Sequence, residues 1–107
     1  MKYFEIELED EQTETMTRAH AVSGINVDFC NKYMSVEISH WTSLKALKGN
    51  KKPVSWSSYT FYGEQPRGVV LEDYALEKVR EASECAVDGN IIVNPLKGVA
   101  ISDAGEE

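Results

Sequence analysis

The sequence predicts an α+β fold, a single small domain in which a three- to four-stranded, mostly antiparallel sheet is packed by two or three helices. Three observations predict it. The stretch "KYFEIELE" alternates apolar and charged residues with the period of a half-buried strand. Residues Phe29, Tyr33, Val36, His40, Leu44 and Leu47 recur at helical spacing, and Ala75, Leu76, Val79, Ala82 and Ala86 do so again. The chain has 107 residues, 42% of them hydrophobic and 27% charged, which is enough for one core without a disulfide or metal. Residues 1–107 therefore read as one globular domain, with an acidic tail at 103–107 expected to fray.

The first strand, over 2–9, places Phe4, Ile6 and Leu8 on one face and Glu5, Glu7 and Glu9 on the other. Such a glutamate row discourages pairing with other chains. Residues 10–23 admit two readings. Asp10 caps a helix that ends at Gly24, with Glu11 and Glu14 near its positive end, or Met16, Arg18, His20 and Val22 form one face of a strand. The helix is preferred.

A second helix is expected over 28–49, with Asp28 as N-cap and Gly49 at its C-terminal end. The competing strand at 32–40 alternates Met34, Val36 and Ile38 with Ser35, Glu37 and Ser39. The helix pattern is favoured because it persists for about five turns. It also places Lys45 and Lys48 in the last turns, where cations complement the helix dipole.

After Pro53, "VSWSSYTFY" is rich in β-formers and predicts a strand over 54–62. Its two faces carry Val54, Trp56 and Tyr62 on one side and Tyr59 and Phe61 on the other, so burial on both sides is expected. "GEQPRG" reads as a loop, and residues 72–87 as a helix closed by Gly89. On that helix Glu77 and Arg80 form an i,i+3 ion pair. "NIIVNP" and "KGVAIS" supply two short strands.

The formal charge is −7, distributed as −5 over residues 1–28, +4 over 29–52 and −6 over 53–107. An acidic chain repels nucleic acids and anionic membranes at long range and favours basic partners. No apolar run approaches the roughly 18 residues of a membrane span, and the N-terminus has no apolar leader core, so a cytoplasmic location is expected. Cys30 and Cys85 then read as small buried hydrophobes.

Chemistry-bearing motifs are sparse. Two cysteines and two histidines scattered between positions 20 and 85 lack zinc-ligand spacing. On the helix reading Cys30 and His40 lie roughly 15 Å apart, too far to act together, and His40 reads as a hydrogen-bonded core or boundary residue. "YGEQPRGVV" lacks the glycine spacing of a phosphate-binding loop. No catalytic, cofactor or metal residue is assigned, and the chain is read as non-enzymatic.

The expected role is a small acidic protein-binding module that inhibits or regulates a partner with a basic surface. Bacteriophage anti-defence and toxin-immunity proteins are analogies of size and charge alone. The expected contact residues are Glu5, Glu7, Glu9, Asp10 and Glu11 in one group and Glu77, Glu81 and Glu84 in another. Their carboxylates would steer association and discriminate among partners. The alternative is a nucleic-acid-binding module using Lys45, Lys48, Lys51, Lys52, Trp56 and Tyr59, a cationic and aromatic set suited to single strands but opposed by the overall charge. A third reading is a small enzyme or enzyme subunit without a motif. All three are compatible with a homo-oligomer.

Overall fold

The computed structural model describes residues 2–9, 14–49 and 51–103. These contain the strands β1 (Lys2–Glu9), β2 (Met16–Asp28), β3 (Tyr33–Trp41), β4 (Ser55–Tyr62), β5 (Glu84–Val87), β6 (Asn90–Val93) and β7 (Ile101–Asp103). Helix α1 (Leu44–Lys48) joins β3 to β4, and α2 (Leu71–Glu81) joins β4 to β5. All seven strands belong to one sheet of order β6-β5-β4-β3-β2-β1-β7, antiparallel at every pairing. β1 to β6 form a meander, and β7 returns to flank β1. The expected sheet of three or four strands packed by two or three helices is thereby corrected to a seven-stranded sheet with short helices of five and eleven residues.

The largest correction falls on residues 10–49. Residues 28–49 are not one helix: β3 occupies Tyr33–Trp41, and only Leu44–Lys48 is helical. Met34, Val36 and Ile38 are buried on one face, as strand alternation requires. Asp28 caps no helix. Its carboxylate accepts the backbone N–H of Asn31 at 2.8 Å and the Asn31 side-chain amide at 3.0 Å, closing the turn between β2 and β3. An aspartate that accepts from a backbone amide three residues on serves a turn and a helix start equally well. Of the preferred helix over 10–23, residues 10–13 lie outside the described residues, and from Met16 onward the chain is β2.

The sheet has two distinct faces. Residues paired across antiparallel strands share a face, so the register Val22↔Ile38, Ile25↔Val36 and Val27↔Met34 puts these six on one side, with Tyr59 and Phe61 of β4. A register shift between Val22 and Gly24 lets Val22 and Ile25 share that face despite their odd separation. Ala75, Leu76 and Val79 of α2 pack here with Phe4 and Leu96, forming the main core. We call this the helix face. The opposite, open face carries Tyr3, Ala19, Ala21 and Trp41 at one end, where Leu47 of α1 covers them.

The helix expected over 72–87 stops at Glu81, so Ala86 lies in β5 rather than on the helix. Asn94, nearly fully buried, holds the C-terminal end of α2: its amide donates to the carbonyls of Val79 and Ala82, and its side-chain oxygen accepts from Leu96 N–H. Those carbonyls have no partners within the helix. Gly89 closes no helix either. Asp88 and Gly89, at φ 51° and 86°, form the two-residue turn of the β5–β6 hairpin, a conformation that needs a left-handed backbone at both positions. The ion pair of Glu77 with Arg80 forms at 3.5 Å.

Two further expectations are corrected. β4 is not covered on both sides: Tyr59 is 2% exposed and Phe61 8%, whereas Trp56 is 60% and Tyr62 76% exposed on the open face. Cys85 is buried but Cys30 is exposed, and neither forms a disulfide. Asp103 of the terminal tail pairs with Lys2 in the β1–β7 ladder, and residues 104–107 lie outside the described residues. No helix among the described residues is long and apolar enough to cross a membrane.

Candidate functional site

β1 pairs with β2 through Phe4↔His20, Glu5↔Ala19 and Leu8↔Thr17, with an irregularity between Glu5 and Leu8. At that bulge the Ile6 carbonyl meets His20 Nε2 at 2.8 Å. Next door, β2 pairs with β3 through His20↔His40, and β3 with β4 through Ile38↔Ser57 and His40↔Ser55. Both histidines and Ser57 therefore sit on the helix face of three adjacent strands. His20 Nδ1 lies 2.7 Å from His40 Nδ1, and His40 Nε2 lies 2.9 Å from Ser57 Oγ. The rings meet edge to face, centroids 5.0 Å apart.

The direction of this chain is fixed by its inner end. A carbonyl oxygen only accepts, so His20 Nε2 carries the hydrogen and the Nδ1 of the neutral ring is an acceptor. His40 Nδ1 must then donate to it, which leaves Nε2 of neutral His40 to accept the Ser57 hydroxyl. Burial holds the His20 imidazole below its ordinary pKa, with the Ile6 hydrogen bond opposing in part. The buried ring is thus neutral near pH 7, as this hydrogen-bond pattern requires.

The outer end opens into a cleft of about 610 Å³ lined by Leu8, Glu9, Thr17, His40, Ser57, Tyr59, Asp88, Ile92 and Val93 among others. It touches β1 and β6, five strand spacings apart in the sheet. A flat sheet would separate them by about 24 Å, so the sheet curls around this end of the helix face. Tyr59, raised above its ordinary pKa mainly by burial, forms part of the wall as a neutral phenol.

The second candidate surface is the open face beyond α1. Trp56, Ser58, Thr60 and Tyr62 of β4 alternate onto it beside Tyr33, Ser35, Glu37 and Ser39 of β3. Ser39 donates to Ser23 at 2.8 Å, Ser23 donates to the Glu37 carboxylate at 3.2 Å, and the hydroxyls of Ser35 and Ser58 lie 3.1 Å apart. The result is a hydroxyl-rich floor with protruding aromatic rings.

The structure divides the residues expected to bind a partner. Glu5 pairs with Ala19 on the open face, Glu7 forms an ion pair with Arg18 at 3.9 Å, and Glu9 lines the cleft. The β1 bulge breaks the single row that alternation predicted. Asp10 and Glu11 lie outside the described residues. Glu77 and Glu81 are exposed on α2, while Glu84 is exposed on β5. Of the nucleic-acid set, Lys45, Lys48, Lys51 and Lys52 are exposed on and just after α1. α1 and Trp56 share the open face, but Tyr59 is buried on the other side. The described residues contain no cluster of three or more histidine, cysteine or carboxylate groups that could hold a metal.

His20 and Ser57 were not singled out from sequence. A regular hairpin continued from Asp28↔Tyr33 sets His20 opposite Trp41, and only the bulge between Val22 and Gly24 brings it opposite His40, so the pairing of the two histidines is not legible in the sequence. Comparison with protein-family models, curated proteins and solved structures gives no match for this chain.

Proposed function

We propose that the chain is a protein-binding module whose contact surface is the uncovered part of the open face, acting as an inhibitor or regulator of a partner with a basic surface. The observation that carries this reading is the exposure of Trp56 and Tyr62 on the part of the open face that α1 leaves uncovered, amid Ser35, Ser39, Ser58 and Thr60. Rigid aromatic rings supply contact area at small entropic cost, and short hydroxyls supply adaptable hydrogen bonds. A basic partner is favoured by the net charge of −7 and by Glu37 at the centre of the face. Glu5, on the same face, extends that negative character, whereas Glu77, Glu81 and Glu84 act at longer range in steering.

A second reading is favoured by one observation. Trp56 is exposed on the face that also bears α1 and its lysines, an arrangement suited to a single-stranded nucleic acid. One experiment separates the two. A photocrosslinking amino acid is placed at position 56, 62 or 77, the protein is irradiated in native cell extract, and the products are identified by mass spectrometry. The expected result is one basic protein captured from positions 56 and 62 but not 77, whose purified form binds at least about tenfold more weakly to Trp56→Ala. Capture from position 77 alone, or an affinity unchanged by Trp56→Ala, overturns the assignment. Oligonucleotide binding that falls steeply with salt transfers it to the second reading.

A further inference from the structure

We propose that the cleft, which Trp56 borders, is a nucleophilic site: Ser57 carries an activated hydroxyl that accepts an acyl group from an uncharged ester, with His40 as its general base and His20 positioning His40. Nothing in this proposal depends on the open face.

Geometry carries it. Activating a hydroxyl requires a base within hydrogen-bond reach and a third group that orients the base. His40 Nε2 is 2.9 Å from Ser57 Oγ, and His20 Nδ1 is 2.7 Å from His40 Nδ1. The Ile6 carbonyl anchors the far end and fixes the direction of every hydrogen bond between it and Ser57. Buried rings are hydrogen-bonded in any case; what this pair adds is that its chain ends at a hydroxyl lining a cleft. The cleft, about 610 Å³, has the size of a small-molecule site. Leu8, Val87 and Ile92 give it apolar walls for an acyl chain, while Glu9 and Asp88 disfavour anionic substrates.

The chemistry balances without a cofactor. Ser57 Oγ forms a bond to the ester carbonyl carbon as its proton passes to His40 Nε2, and the carbonyl π pair moves onto oxygen. When that pair returns, the carbon–alkoxide bond breaks, and the departing alkoxide takes the proton from His40. The products are acyl-Ser57 and an alcohol. Water, delivered through the same base, repeats the steps to release the acid and restore the hydroxyl.

Two readouts test this. The thiol introduced by Ser57→Cys is alkylated with iodoacetamide, with exposed Cys30 of the same molecule as internal reference. Beside His40 it is expected to react at least about tenfold faster than Cys30 near pH 6.5, and to lose that advantage when His40→Ala is added. Wild-type protein is also treated with p-nitrophenyl butyrate, and the butyryl group is expected on Ser57. Ser57→Ala and His40→Ala are expected to lower nitrophenol release at least about 100-fold, and Thr42→Ala, at an exposed hydroxyl outside the cleft, to leave it unchanged. For His20, the pH profile of release decides: His20→Asn keeps an acceptor where Nδ1 stood and retains the wild-type profile, whereas His20→Leu shifts it. A thiol at 57 no faster than Cys30, or butyrylation elsewhere or nowhere, overturns the proposal. A wild-type profile in His20→Leu removes the positioning role.

Discussion

His20 and His40 hold their Nδ1 atoms 2.7 Å apart between neighbouring strands, with both rings buried. Two neutral rings can share such a contact only when one is the Nε2–H tautomer and the other the Nδ1–H tautomer. The Ile6 carbonyl assigns the first form to His20 and the second to His40. Long-range proton–nitrogen correlation spectra near neutral pH are expected to show one imidazole of each type. Two Nε2–H rings would contradict the arrangement.

The same burial predicts how stability depends on acid. The His20 pKa is lowered in the folded state, chiefly by desolvation, so the unfolded chain takes up this proton first. The contribution of neutral His20 is fully present above the unfolded value of about 6.5 and is lost as pH falls from there toward the lowered folded value. Urea midpoints measured from about pH 7.5 down to about pH 5.5 should decline. For this one proton the slope is no steeper than about 1.4 kcal/mol per pH unit. Constant stability across that window would mean that the ring is not held neutral by the fold.

What the sequence made legible was strand chemistry where alternation is uninterrupted. β1 and β4 follow directly from "KYFEIELE" and "SWSSYTFY", and α2 from Ala75, Leu76 and Val79. β2 and β3 were obscured for physical reasons. The bulge at Val22/Gly24 shifts the alternation of β2 by one residue, and the apolar positions of β3 and α1 together mimic a helical stripe. The two-residue signal Asp88–Gly89 marked a hairpin that a helix reading to 87 absorbed. The candidate site was less legible, since Ser57 and His40 meet only through strand register. Likewise, both the exposure of Trp56 and the burial of Tyr59 depend on which face receives α2.

That last contrast is measurable. Trp56 and Tyr59 are three residues apart on one strand and face opposite sides of the sheet. Tyr59→Ala removes a buried aromatic ring and is expected to cost about 3–5 kcal/mol, whereas Trp56→Ala should stay within about 0.5 kcal/mol. Chemical denaturation of the two variants compares them directly. Equal losses would mean that the face bearing Trp56 is covered.

The two thiols should separate by access. Cys30 is exposed, while Cys85 is buried in the main core and held above its ordinary pKa by desolvation. A thiol reagent such as DTNB is expected to modify one cysteine at once under native conditions and the second only on unfolding. Rapid modification of both would place β5 outside the cooperative core.

Asn94 offers the sharpest test of how the sheet holds its helix. The side chain is nearly fully buried, and its donor and acceptor ends join α2 to the segment after β6. Asn94→Ala leaves the Ala82 carbonyl and the Leu96 amide without these partners, in a place that water reaches poorly. Each such orphaned group costs about 1–3 kcal/mol. Asn94→Asp keeps the acceptor for Leu96 but replaces the amide donor with an oxygen facing the carbonyls of Val79 and Ala82. It should therefore be destabilising as well, and increasingly so as the pH rises and the new carboxyl ionises among carbonyl oxygens. Urea denaturation of both variants at neutral and acidic pH checks the order. Native-like stability in Asn94→Asp at neutral pH would show that the amide donor does not secure the end of α2.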